Sequence, residues 1–206
     1  FVKSTAAIAG TVAFAGAVVP EAFARLGVHN RVDRLKVGVI GCGGRGTGAM
    51  INSLEGSYDT EIHAIGDVFA DRVDNCMAEI QKQPKELMDR CPVSRDRAFV
   101  GFDAYKRVLA TNVDVVILAT NPHFRPMHFE AAIAAGKHVF FEKPVAVDPT
   151  GVRRVIAAGE VAKQKGLGVV CGTQRRHENC YLAAMKQIED GGIGRVVAAN
   201  CWWNQG

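Results

Sequence analysis

Along most of this chain, short apolar runs alternate with longer stretches whose apolar residues recur at helical spacing. The runs at 36–41, 61–66, 98–102, 113–119, 138–141 and 167–171 are brief and rich in β-branched or aromatic residues, which predicts strands. Helices are predicted over 45–54, 70–82, 104–110, 126–135, between 148 and 166, and over 178–190. Local punctuation agrees: Gly136 stands where a helix should stop, Asp148 precedes Pro149 as a capping residue before a first-turn proline, and Gly166 closes the helix they open. A polar, proline-containing stretch runs up to Asp96, and a last extended stretch is predicted over 195–203. Strands and helices in regular turn imply an α/β fold with a parallel sheet. The run Val113-Asp-Val-Val-Ile-Leu-Ala119 is apolar enough for a central strand covered on both faces.

The first strand runs straight into the glycine series Gly41, Gly43, Gly46, with Gly44 and Arg45 inside the same turn. Such a turn suits the phosphates of a nucleotide cofactor. Gly41 permits the tight turn, Gly43 lets the backbone approach a pyrophosphate, and Gly46 lets the next helix pack on its strand with its amino end facing the anion. A glycine fingerprint alone is weak, but here a strand precedes it, a helical stretch comes after it, and a second strand ends in Asp67, 21 residues after Gly46. A ribose-binding carboxylate belongs at roughly that distance, about 20 residues on. The fold class is therefore a Rossmann-type doubly wound parallel sheet over 36–172.

Composition narrows the picture further. A formal charge of +4 without any Lys/Arg run longer than two residues gives no nucleic-acid footprint. The six cysteines (42, 76, 91, 171, 180, 201) form no CxxC pair and no Cys/His cluster at metal spacing, so no metal site and no dense disulfide framework is expected. Residues 1–24 differ from the rest. An Ala/Gly-rich apolar run from Ala6 to Val19 comes after Lys3, and Ala22-Phe23-Ala24 offers a small-residue cleavage pattern before Arg25. At 14 residues the run is short of the about 20 that span a bilayer, so it is expected to be an export leader and no stable membrane span should remain after processing. The Phe-Val-Lys opening resembles the residues next to the paired arginines of a twin-arginine leader, on their carboxyl side, which implies a periplasmic destination. Residues 25–35 suit a short linker.

The second informative cluster is Phe141-Glu-Lys-Pro144 at the end of a strand in the same sheet. Ligands in such folds bind beyond the carboxyl ends of strands. A lysine there, beside a cationic nicotinamide, is pushed toward releasing its proton and can exchange one with a substrate hydroxyl, so Lys143 is the catalytic candidate. The glycine series and the Glu-Lys-Pro motif together resemble the glucose-fructose oxidoreductase / inositol dehydrogenase (Gfo/Idh/MocA) family over residues 36–206. The resemblance implies that Gly41, Gly43, Gly44, Arg45, Gly46 and Asp67 bind the dinucleotide. It also implies that Thr120, Asn121 and His123 line the nicotinamide side, and that Glu142, Lys143 and Pro144 position the ring, with Lys143 touching cofactor and substrate. Gln174 and Arg175 would approach the cofactor as the chain enters a second domain, and Arg176 would reach substrate. It further implies a sugar or polyol substrate, a homo-oligomer, and a second α+β domain that begins at 173 and carries further catalytic residues beyond residue 206. Trp202 and Trp203 would sit on that domain's first strand.

Cofactor choice turns on charge. Asp67 would accept hydrogen bonds from the ribose hydroxyls and repel a 2′-phosphate, which favours NAD, while Arg45 or Arg72 keeps NADP open. His123 and His128 match no metal-ligand spacing and read as a loop residue near the cofactor and a helix-face residue. The leading expectation is an NAD(P)-dependent oxidoreductase acting on a carbinol carbon. The alternatives are an NAD-dependent glycoside hydrolase of the same superfamily, whose members usually lack the Glu-Lys-Pro lysine, and a non-catalytic nucleotide-binding sensor.

Overall fold

The structure, a computed structural model, describes residues 34–57 and 59–203, so the leader and most of the linker read from the sequence lie outside the described residues. Six strands, β1 (Leu35–Ile40), β2 (Thr60–Asp67), β3 (Ala98–Val100), β4 (Val115–Leu118), β5 (His138–Phe141) and β6 (Val169–Cys171), form one parallel sheet in the order β3-β2-β1-β4-β5-β6. The strand order reverses between β1 and β4, which opens a crevice at their carboxyl ends.

The helices are α1 (Gly44–Gly56), α2 (Ala70–Ile80), α3 (Lys85–Met88), α4 (Ala104–Leu109), α5 (Arg125–Ala134), α6 (Pro149–Gln164) and α7 (Asn179–Glu189). Two apolar layers sandwich the sheet. One packs Ala49, Met50 and Leu54 of α1 and Val73, Cys76 and Ile80 of α2 on Val37, Val39, Ile62 and Ile65. The other packs Val108 of α4, Phe129 and Ile133 of α5 and Ala158 and Ala162 of α6 on Val116, Leu118, Val139 and Phe141. Burial on both faces explains why the central strands read as continuous apolar runs. Close approach of α4 depends on two sheet glycines, since a Cβ at Gly38 or Gly66 would lie 2.8 or 2.9 Å from the Val108 methyls.

Cap positions agree with the punctuation in the sequence. Asp148 Oδ1 accepts a hydrogen bond from the Gly151 amide at 2.6 Å with Pro149 in the first turn, and Gly136 and Gly166 leave their helices with φ of +71° and +68°. Several boundaries differ. The third strand stops at Val100 because Gly101 takes φ +110°, and the polar stretch before it folds into α3 and a 3-10 turn, Arg95–Arg97. The chain over 195–203 joins no sheet among the described residues, which leaves Trp202 and Trp203 exposed rather than on a strand.

Candidate dinucleotide site

A groove of about 630 Å³ runs across the carboxyl ends of β1, β2 and β4, bounded by the turn from Gly41 to Gly46, Asp67, Thr120 and His128. Its floor is the glycine turn, and the three fingerprint positions divide the work by geometry. Gly41 has φ +100°, and a Cβ there would lie 2.7 Å from the backbone of Ala119 and Thr120. At Gly46 a Cβ would fall 1.7 Å from the Gly41 carbonyl oxygen, so only glycine lets α1 start this close to β1. Gly43 has nothing within 4 Å of such an atom, nor has Gly44, so the missing side chains leave space for a ligand rather than for packing. The first amides of α1, from Gly44 onward, have no partner inside the helix, and its first turn carries no acidic residue to compete for an anion.

Asp67 closes β2 beside this turn. Its Oδ2 accepts the Cys42 amide at 2.7 Å and its Oδ1 accepts the Phe69 amide at 3.0 Å, which fixes the carboxylate at the groove edge. Each oxygen retains capacity for a further donor such as a ribose hydroxyl. The neighbouring Cys42 is buried with its Sγ donating to Gly66 O at 3.5 Å, and the adjacent Cys76 thiol and burial push its own thiol up.

Arg45 turns toward β5, where its Nε and Nη2 donate to Glu142 Oε1 at 2.8 and 2.5 Å. Glu142 is buried, and Gly172 makes room for it: a Cβ at 172 would lie 2.9 Å from Glu142 Oε1. The pair ties the glycine turn to the Glu-Lys-Pro segment and commits Arg45 to a carboxylate. Lys143 itself stands exposed at the end of β5 and precedes a cis bond to Pro144; it makes no hydrogen bond or ion pair among the described residues. Thr120 and Asn121 line the groove, and Arg72 lines its other end.

His123 lies in the loop before α5 and His128 on the helix itself, as expected, but it is the helical histidine that reaches the main groove. His123 is exposed and borders a smaller hollow with Phe124, Met127, Val147 and Arg154, whereas His128 lines the main groove. His128 is stacked on Tyr105 with ring centroids 4.4 Å apart, and its Nδ1 lies 3.1 Å from Thr120 Oγ1. Burial first, and then the Arg125 charge, lower its pKa to about 4, so the ring is neutral at pH 7. The sequence reading also missed Arg125, a buried cation at the first position of α5 whose guanidinium donates to the carbonyls of Thr120 and Pro144. The one available signal was an arginine directly before a first-turn proline, which spacing cannot distinguish from a solvated side chain.

Gln174, Arg175 and Arg176 lie on a 3-10 turn, Gln174–His177, after β6 and are exposed outside the groove. Arg175 is taken up locally: its Nη1 donates to Tyr181 Oη at 2.7 Å and its guanidinium lies 4.9 Å from the Trp203 ring centre. Among the described residues, no group of three or more His, Cys, Asp or Glu is placed to hold a metal ion, and no helix is long and apolar enough to cross a membrane.

This sheet order, with a glycine cradle at a helix amino end and an acid closing β2, defines a dinucleotide-binding domain. The chain belongs to the Gfo/Idh/MocA oxidoreductase family: the family model described as "Oxidoreductase family, NAD-binding Rossmann fold" matches residues 35–173. It is 31% identical over 170 residues to the inositol 2-dehydrogenase of Klebsiella pneumoniae strain 342, covering 81% of this chain and 45% of that protein. The inositol 2-dehydrogenase of Pseudomonas fluorescens is likewise 31% identical over 170 residues, at the same 81% and 45% coverage. The chain thus spans less than half the length of these relatives. Its fold is also that of scyllo-inositol dehydrogenase from Lactobacillus casei, solved with bound NAD(H) and scyllo-inositol (22% identity, TM-score 0.62, 79% of this chain and 43% of that one). A 3-ketoreductase from Actinomadura kijaniata solved with NADP is 25% identical, with a TM-score of 0.59 over 79% of this chain and 46% of that one.

Proposed function

We propose that the full-length protein is an NAD-dependent dehydrogenase of a polyol such as an inositol, and that this chain supplies its cofactor half. The observation that carries the reading is the Asp67 carboxylate held against the Cys42 amide at the edge of the glycine cradle, in a chain 31% identical to inositol 2-dehydrogenases. The bound nicotinamide supplies the acceptor for the hydride that leaves a carbinol carbon. The amides that open α1 bind the pyrophosphate, and Asp67 accepts from the ribose hydroxyls while its charge disfavours a 2′-phosphate. Thr120 and Asn121 border the reacting end. Lys143, the catalytic residue of this reading, takes the proton of the substrate hydroxyl on Nζ as the carbonyl forms, and Glu142, held by Arg45, orients the strand end from which Lys143 extends. Pro144 sets the direction of that segment. Gln174, Arg175 and Arg176 join the site from the second domain, with Arg176 on the substrate, and His123 serves the nicotinamide side from the adjoining hollow.

Titration of the full-length protein with NADH and NADPH, monitored by nicotinamide fluorescence, tests the cofactor assignment. NADH should bind more tightly, and Asp67→Ala should weaken NADH by about tenfold or more, the loss of a charged hydrogen bond. Equal affinity for both cofactors in the parent and the variant would sink it. For turnover with inositols, Lys143→Met should lower kcat by at least about 100-fold while NADH binding stays within a few-fold; unchanged kcat would remove Lys143 from the chemistry.

The leader-like run from Ala6 to Val19 supports export of the protein to the periplasm by the twin-arginine route. Cell fractionation and amino-terminal sequencing of the mature protein test this, with Arg25 as the expected first residue. We also propose a homo-oligomer, measurable by light scattering of the full-length protein.

A further inference from the structure

The segment that carries Lys143 is sparsely hydrogen-bonded, although its Val145 packs on the core layer beneath it. Glu142 ends the β5 ladder with its amide donating to Leu118 O at 3.0 Å, and the next backbone bond belongs to the cap of α6. Between them, among the described residues, the only hydrogen bond made by residues 143–147 is the one that Pro144 O accepts from Arg125 Nη1. The other arm of the same guanidinium, Nη2, donates to Thr120 O at the end of β4. Arg125 is 3% exposed, its Nε has no partner, and burial lowers its pKa below the usual arginine value. A guanidinium is costly to bury for packing alone. What the charge holds here are two carbonyls just beyond the ends of the adjacent strands β4 and β5, at the edge where ligands of this fold bind, and a rigid planar fork can span both where an ammonium reaches one.

We propose that Arg125 is a positioning residue for the dehydrogenase reaction: it fastens the Lys143–Pro144 segment to the end of β4 and so fixes where Lys143 stands relative to Thr120 and Asn121. The proposal rests on the dehydrogenase reading for its kinetic consequence and on geometry alone for its structural one. Two variants of the full-length protein test it, Arg125→Met, which keeps length without charge, and Arg125→Lys, which keeps charge without the fork. In Arg125→Met, kcat should fall about 10- to 100-fold, the scale of an ångström misplacement, with the NADH dissociation constant within about threefold of the parent. Amide order parameters at Lys143 and Val145 should fall from about 0.85 to below about 0.6 while those of β4 and β5 hold. Arg125→Lys should lie between, and it carries the test if Arg125→Met does not fold. Parent-like kcat with rigid 143–147 amides overturns the proposal, as does a general loss of stability with kcat per folded molecule unchanged. Should the parent bind NADH yet turn over no polyol, the dehydrogenase reading fails and the order parameters alone decide whether Arg125 fastens the segment.

Discussion

His128 has a measurable consequence at the scale of a single residue. Its ring is buried between Tyr105 and Thr120, near the Arg125 guanidinium, and its pKa falls to about 4 against an ordinary 6.5. Between those values the unfolded chain binds a proton that the folded chain refuses, so stability is complete above pH 6.5 and is lost as pH falls toward 4. The loss attributable to this ring is on the order of 3 kcal/mol. Burial pushes His63 and His138 the same way, so acid sensitivity should persist in part when His128 is replaced. Thermal melts at pH 7 and pH 4.5 should therefore diverge less in His128→Gln than in the parent; an identical gap would mean that His128 is solvated. This residue also marks where sequence reading stops. Glycine roles at 41, 43 and 46 are legible because each stems from a missing Cβ, and the position of Asp67 is legible because strand and helix lengths set it. Whether His128 turns into the groove depends on the rotation of α5, and the sequence pattern around 123–128 does not encode that.

Among the elements, the turn that joins β1 to α1 is the most constrained. Gly46 and Gly48 both lie in α1, yet an added methyl meets the Gly41 carbonyl oxygen at 1.7 Å in one case and nothing within 4 Å in the other. Helix propensity favours alanine at both sites by up to about 1 kcal/mol. Gly48→Ala should therefore be neutral or stabilising, whereas Gly46→Ala must move backbone atoms and should cost about 3 kcal/mol or more. Urea unfolding of the pair decides the matter, since equal midpoints would show that α1 need not approach β1 this closely. The alternation of the six strands with the longer helices was readable up to residue 171, because apolar runs between helical stretches imply a parallel sheet. Strand ends were not, because they are set by backbone events such as the positive φ of Gly101 rather than by hydropathy. The short α3 was hidden too, since four residues with only Leu87 packed against the core are too few to leave a periodic signature.

At the scale of the whole molecule, burial separates the described residues into a part with a core and a part without one. Both apolar layers are drawn from residues before 172, where α6 and β6 complete the sheet. After that point α7 has no buried residue, and Tyr181, Leu182, Met185, Val197, Trp202 and Trp203 are exposed. Its internal ties are surface pairs such as Lys186 with Asp190 and Arg175 with Glu178, each worth at most about 1 kcal/mol. Local stability tracks buried apolar contact, so the two parts should open at very different rates. Within residues 34–203, limited trypsin digestion should cut first near Arg175, Arg176, Lys186 or Arg195 and leave the sheet through β6 intact. NADH should protect the surviving fragment further, because the cradle, Asp67 and the groove all belong to it and a bound ligand stabilises only the folded form. Cleavage distributed evenly across α1, α2 and α7 would contradict this division and with it the claim that the cofactor half carries its own core; resistance of α7 together with the sheet would do the same.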